Sequence, residues 1–133
     1  MAFKHGKDAE IEVGSDDLSA FTDNVEFARS ADSHDTTTFG QDGHTYAGGL
    51  TDGTCTLTGT YDNGTSGPKA ILEAALGTAE TITWRPEGTG TGRPEQTFSG
   101  LITGYAETAP VAGMIKWKSD VQISGSVTST DQA

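Results

Sequence analysis

Strict alternation limits this chain to a β-rich fold. Between positions 54 and 61, Cys55, Leu57, Gly59 and Tyr61 take one parity, and Thr54, Thr56, Thr58 and Thr60 take the other. A period of two places successive side chains on opposite faces of a strand, and β-branched threonine suits the wet face. Residues 114–127 repeat the pattern over a longer run. Ile115, Trp117, Val121, Ile123 and Val127 share a parity, against Lys116, Lys118, Asp120, Gln122 and Ser124. At positions 8–13, Ala9, Ile11 and Val13 alternate with Asp8, Glu10 and Glu12. Further strands are expected at 25–31, 80–85 and 98–105, giving about six strands at turn-rich intervals, as in sandwiches and barrels.

The apolar parities are sparse. Leu 6, Ile 6, Val 5 and Phe 5 make 22 of 133 residues, with a formal charge of −11. That is close to the composition at which chains stay disordered. Clear strand periodicity argues against disorder, so the thin core points to burial supplied by neighbouring subunits. The length fits one domain over residues 1–133.

One helix is expected after the turn at Asp62-Asn63-Gly64. Ser66 or Gly67 can cap it, Pro68 fits its first turn, and Ile71, Leu72, Ala75 and Leu76 form its apolar stripe. Gly77 suits a left-handed stop. Such a short helix must pack on something. Leu18 and Phe21 are expected to anchor the connection after the 14–17 turn.

Alternation fails over residues 36–51. Gly40, Gly43, Gly48 and Gly49 loosen this stretch, Phe39, Tyr46 and Leu50 punctuate it, and Asp52-Gly53 reads as a turn. A long glycine-rich loop at about 36–52 is therefore expected, disordered in a free subunit, and long loops are usually functional. The Gly88-Thr89-Gly90-Thr91-Gly92 run reads as the most flexible segment, and residues 126–133 as a polar tail.

Motifs that would carry chemistry fail on context. A phosphate loop at Gly88, Gly90 and Gly92 needs a following helix, and here Arg93-Pro94 and a strand follow. His34, Asp35, Asp42 and His44 match no metal-site spacing. No nucleophile elbow occurs, so no enzyme, cofactor or metal is expected. Eight basic residues against nineteen acidic ones oppose binding to phosphate backbones. Lone Cys55 is expected to be a small buried side chain without a disulfide. The opening Met1-Ala2-Phe3-Lys4-His5-Gly6-Lys7 lacks the apolar run of a secretory signal, and Asn63-Gly64-Thr65 is then an unused glycosylation pattern. No stretch is long and apolar enough for a membrane helix. Trp84, Tyr105 and Trp117 are read as core residues in preference to a sugar platform.

The order of signals carries a resemblance. Asp17-Leu18-Ser19-Ala20-Phe21 and Val25-Glu26-Phe27 lead into Asp35-Thr36-Thr37-Thr38-Phe39-Gly40. Tyr46-Ala47-Gly48-Gly49-Leu50-Thr51-Asp52-Gly53, the strand ending at Gly59, the helix Lys69-Ala70-Ile71-Leu72-Glu73-Ala74-Ala75-Leu76-Gly77 and a closing strand Val121-Gln122-Ile123-Ser124-Gly125-Ser126-Val127 follow. Over nearly its whole length this resembles the major tail tube proteins of long-tailed bacteriophages of siphovirus type. The resemblance implies a β-sandwich or barrel-like fold with one short flanking helix. It implies hexameric rings stacked into a hollow tube, a long loop bridging subunits or rings, and an acidic lumen through which DNA passes without specific binding. Thr38, Phe39, Gly40, Tyr46, Gly49 and Leu50 are then candidate interface residues. Glu10, Glu12 and Asp120, on polar strand faces, are candidate lumen residues. Implied partners are the chain itself and tape-measure, tail-tip and tail-terminator proteins, in the virion tail after assembly in the host cytoplasm. Related readings are the tube of a contractile injection system or gene transfer agent, and a virion decoration or carbohydrate-binding β module.

Overall fold

The alternating segments become strands of one antiparallel sheet in the computed structural model, which describes residues 4–133. Met1, Ala2 and Phe3, part of the opening segment read above, lie outside the described residues. In chain order the strands are β1 (Glu10–Val13), β2 (Asp16–Asp17), β3 (Thr22–Asp35), β4 (Tyr46–Thr60), β5 (Ala79–Arg85), β6 (Pro94–Thr108) and β7 (Lys116–Asp131). Across the sheet they run β2-β1-β5-β6-β7-β4-β3. The helix, α1, is Pro68–Ala74. A mainly β, barrel-like architecture with one short helix is thus observed.

Chain connectivity forces the sheet to curl. β2 and β3 stand at its two ends, yet only residues 18–21 join them. Five Cα steps reach at most about 18 Å. Six strand spacings in a flat sheet would need about 29 Å. The sheet therefore rolls until its ends approach, and one face becomes the core. Phe27 on β3 stacks on Phe98 of β6, with ring centroids 5.3 Å apart, although two strands separate them in the sheet. The Trp117 indole N–H donates to the Phe21 carbonyl at 3.2 Å, pinning the connector over β7.

The inward parity matches the sequence. Ile11, Val13, Cys55, Leu57, Ile82, Phe98, Ile102, Trp117, Val121 and Ile123 form the core, with Leu18 from the connector and Leu72 from α1. Trp84, which shares a parity with Ile82, packs against it. So does Tyr105, whose parity is opposite to that of Phe98 and Ile102 but changes face at the irregularity between Ile102 and Gly104. Each such side chain contributes roughly 1.5–3 kcal/mol on burial. Ser119 is the buried polar exception, and its hydroxyl donates to the Gly104 carbonyl at 2.9 Å beside a β6 irregularity. Gly59 faces the connector, where a Cβ would collide with the Phe21 carbonyl. Gly67 caps α1, Pro68 opens it, and Gly77 (φ 79°) ends it with its N–H on the Ile102 carbonyl.

Four expectations are corrected. Residues 36–52 are not a loop, because β3 runs to Asp35 and β4 begins at Tyr46, leaving only 36–45 as a hairpin tip. Asp52-Gly53 lies inside β4, paired with Ser30 and Arg29. A glycine is needed there because a Cβ would sit 2.7 Å from the Ala28 carbonyl oxygen and 2.8 Å from Ile123 Cδ1. The polar stretch after Val127 is the end of β7, where residues 128–131 pair with 94–97 of β6. The 88–92 segment is tied to this end. The Gly92 N–H donates to the Gln132 carbonyl at 2.8 Å, and the Gln132 side-chain amide donates to the Gly88 carbonyl at 2.8 Å.

Candidate assembly surface

β7 pairs with β4 only from Thr54 to Thr60, whereas β3 pairs with β4 as far as Tyr46. Beyond Gly53 the two strands have only each other, forming a two-stranded arm that leaves the body of the sheet. Isolated hairpins of this kind are marginal in water. The arm is held together at its tip by threonine hydroxyls. Thr36 N–H donates to the Thr45 carbonyl at 2.8 Å, the Thr36 and Thr45 hydroxyls lie 2.9 Å apart, and Thr45 N–H donates to Thr37 Oγ1 at 2.9 Å. Thr37 N–H donates to the Asp35 carboxylate at 2.9 Å. Hydrogen bonds from Thr37, with a further contribution from His44, hold Asp35 below the usual carboxylate range. The threonine run is thus structural, closing the tip as a hydrogen-bonded turn.

The candidate interface residues fall on this arm in distinct places. Thr38, Phe39 and Gly40 form the turn, with Gly40 at φ 88°. Tyr46 opens β4 opposite Asp35, and Leu50 lies on the shaft near an irregularity between Ala31 and Ser33. Phe39 and Leu50 are 107% and 81% exposed, and Tyr46 is also exposed. Gly49 lies on β4 beside the exposed His34 side chain.

A second apolar surface escaped the sequence reading. The turn between β6 and β7 exposes Val111, Met114 and Ile115. Met114 and Ile115 were assigned to the alternating strand, but β7 starts at Lys116. Pro110 and Gly113, flanking apolar residues, were the available sign of a turn.

The acidic candidates share the sheet face opposite the core but not one patch. Glu10 and Glu12 on β1 flank Arg85 of β5, at 3.6 and 3.2 Å from its Nη1, while Glu95 of β6 lies 2.8 Å from its Nε. Hydrogen bonding to Glu95 raises the Arg85 pKa further. Three carboxylates thus surround one guanidinium. Asp120 lies toward the other end of β7, in the row Glu26, Thr56, Asp120. Nearby, Lys116 pairs with Asp23 at 3.0 Å, and this bond lowers the Asp23 pKa. The face also carries Thr54, Thr56, Thr58 and Thr60 of β4, with Lys118 and Lys116 of β7 beside Thr58 and Thr60.

Elsewhere there is little that resembles a reaction centre. Cys55 is buried, and burial pushes its thiol up to about 12. His44 lies 3.6 Å from Asp35, and among the described residues no third metal-ligating side chain joins them. Among the described residues no helix is long and apolar enough to cross a membrane.

No protein-family profile matches the chain. No curated protein sequence matches it either. Solved structures do resemble it. A chain in the virion of a native gene transfer agent particle superposes with a TM-score of 0.80 at 13% identity, covering 96% of this chain and 99% of that one. The SPP1 tail tube gives a TM-score of 0.80 at 11% identity, covering 98% and 80%. A chain of the PVC sheath–tube complex, an extracellular contractile injection system, gives 0.74 at 12% identity, covering 98% and 93%. At these identities the likeness establishes the fold: this chain has the fold found in the SPP1 tail tube.

Proposed function

We propose that this chain is the repeating structural subunit of a phage-type tail tube, assembling into six-membered rings that stack around a channel for DNA. The observation that carries the reading is the arm. It exposes Phe39, Tyr46 and Leu50 on a two-stranded hairpin with no cover from its own chain. Apolar side chains at the end of a marginal hairpin gain burial and order when a neighbour covers them. The likeness to the SPP1 tail tube, and to a gene transfer agent tail of C6 symmetry, supports stacked rings as the form of that assembly.

The function is mechanical and electrostatic. Repulsion between carboxylates and phosphates keeps DNA moving through a channel, while each exposed Lys or Arg adds a contact that slows it. The threonine-rich face carrying Glu10, Glu12, Glu26, Glu95 and Asp120 is the proposed channel wall. Arg85 partly neutralises Glu10, Glu12 and Glu95, and Lys116 is paired with Asp23, so Glu26 and Asp120 supply the repulsion, offset by Lys118 on the same face. The protein acts without catalysis, in a virion tail, alongside tape-measure, tail-tip and terminator proteins. The PVC likeness favours one second reading, the inner tube of a contractile system.

The test is assembly of the purified chain. Sedimentation and negative-stain microscopy across a concentration series should give rings or hollow tubes of uniform width. A monomer at every concentration, even with a tail-tip initiator present, would remove the proposal.

A further inference from the structure

The turn over residues 61–67 joins β4 to α1, and Asn63 and Gly64 are exposed at its bend. An asparagine carboxamide is open to attack by the backbone nitrogen of the next residue, and the bulk of that residue is the main obstacle. Gly64 presents none. Among the described residues no hydrogen bond holds the Asn63 carboxamide, which is free to turn toward that nitrogen. The other asparagine of the chain, Asn24, is placed differently. It lies in β3, paired with Thr58, and the branched Val25 follows it.

One contact opposes the attack. Asp62 Oδ1 accepts the Gly64 N–H at 2.7 Å, closing an Asx turn. The nitrogen attacks only once its proton has left. A carboxylate that holds this proton, and sets a negative charge beside the forming amide anion, disfavours the loss. A Cβ at position 64 would lie 3.0 Å from the same oxygen, so the glycine also lets the carboxylate sit this close.

We propose that Asn63 is a site of spontaneous deamidation, with Asp62 setting its rate. The Gly64 nitrogen bonds to Asn63 Cγ as its proton passes to water. The Cγ–Nδ2 bond breaks, and ammonia leaves with a proton taken from water. Water then opens the cyclic succinimide. Cleavage at Cγ gives aspartate, and cleavage at the main-chain carbonyl gives isoaspartate. The sum is amide plus water to carboxylate plus ammonium, with no oxidant or cofactor. Each conversion adds a negative charge beside Asp62. The isoaspartyl product also lengthens the turn by a backbone carbon, next to the Gly67 N–H bond to the Gly64 carbonyl that leads into α1. The reaction needs only the turn itself and is independent of the tube reading.

Ageing of the whole purified chain in mildly alkaline buffer tests it, followed by peptide mass mapping. Trypsin places the two asparagines in separate fragments, 8–29 and 30–69, since no Lys or Arg lies between Arg29 and Lys69. Fragment 30–69 should gain the mass of an amide exchanged for a carboxyl, with ammonia released, while 8–29 stays unchanged. Asp62→Ala should speed conversion in the folded chain by about tenfold or more, the lower end of what a hydrogen bond to a charged group contributes. Asp62→Ser, which keeps an acceptor without the charge, should fall between that variant and wild type. In denaturant the Asp62 bond is gone, so wild type and both variants should convert alike, and faster than folded wild type. A folded wild-type chain whose fragment 30–69 stays unmodified while the unfolded chain converts would overturn Asn63 as a site. Either Asp62 variant converting no faster than wild type in the folded state would overturn the role of Asp62.

Discussion

Replacing Phe39 and Leu50 together by alanine separates folding from assembly. Both side chains are already exposed in the isolated chain, at 107% and 81%. Surface changes of this kind shift stability by no more than about 0.5 kcal/mol. In the proposed assembly the same side chains are covered. Fully burying a Phe or Leu contributes roughly 1.5–3 kcal/mol, so the double change removes about 3–6 kcal/mol per contact. Partial cover at a hairpin tip reduces this to about 3 kcal/mol, still a factor of roughly 100 at 1.4 kcal/mol per decade. The assay pairs thermal melting of the dilute subunit with sedimentation across a concentration series. Expected are an unchanged melting temperature and a hundredfold higher assembly concentration. Assembly at the wild-type concentration would refute the role of the arm. A lowered melting temperature would refute the claim that these side chains lie outside the core.

Three further outcomes follow from the packing and charge. Leu57→Ala, at a fully buried core position, should cost about 3–5 kcal/mol in denaturant unfolding, from lost transfer energy and a residual cavity. Arg85→Met leaves Glu10, Glu12 and Glu95 close together without their guanidinium, and should cost about 1–2 kcal/mol at low salt, less at high salt, measured by urea titration in both buffers. Cys55, buried and with its thiol raised to about 12, should resist a thiol reagent at pH 8 in the folded subunit and react fully in denaturant. Rapid labelling of the native chain would contradict its placement in the core.

The sequence spoke clearly wherever one face of the sheet is dry. Cys55 and Leu57 against Thr54 and Thr56 carried β4 in the body, and Trp117, Val121 and Ile123 carried β7. Where both faces meet water, selection for burial vanishes and the period disappears with it. That is why Tyr46 to Leu50 read as a loop and residues 128–131 as a tail, although both are hydrogen-bonded strands. Gly53 misled for a related reason, because a glycine demanded by close approach of β3 looks the same as one demanded by a turn. Phe39, Tyr46 and Leu50, named as candidate interface residues, are exposed, but on a hairpin and not on a long loop. The exposed turn at Val111 and Met114 was missed because a short apolar run leading into Ile115 and Trp117 continues a strand pattern. The clustering of Glu10 and Glu12 around Arg85 could not be read at all, since the partners are more than seventy positions apart in the chain.

The most direct test of the account is a cryo-electron microscopy reconstruction of the polymer formed by the wild-type chain. The account predicts a hollow tube of stacked six-membered rings, with the face bearing Glu26 and Asp120 turned to the channel and each arm seated on a neighbouring copy. A closed two-fold dimer, or a filament with no central channel, would contradict it.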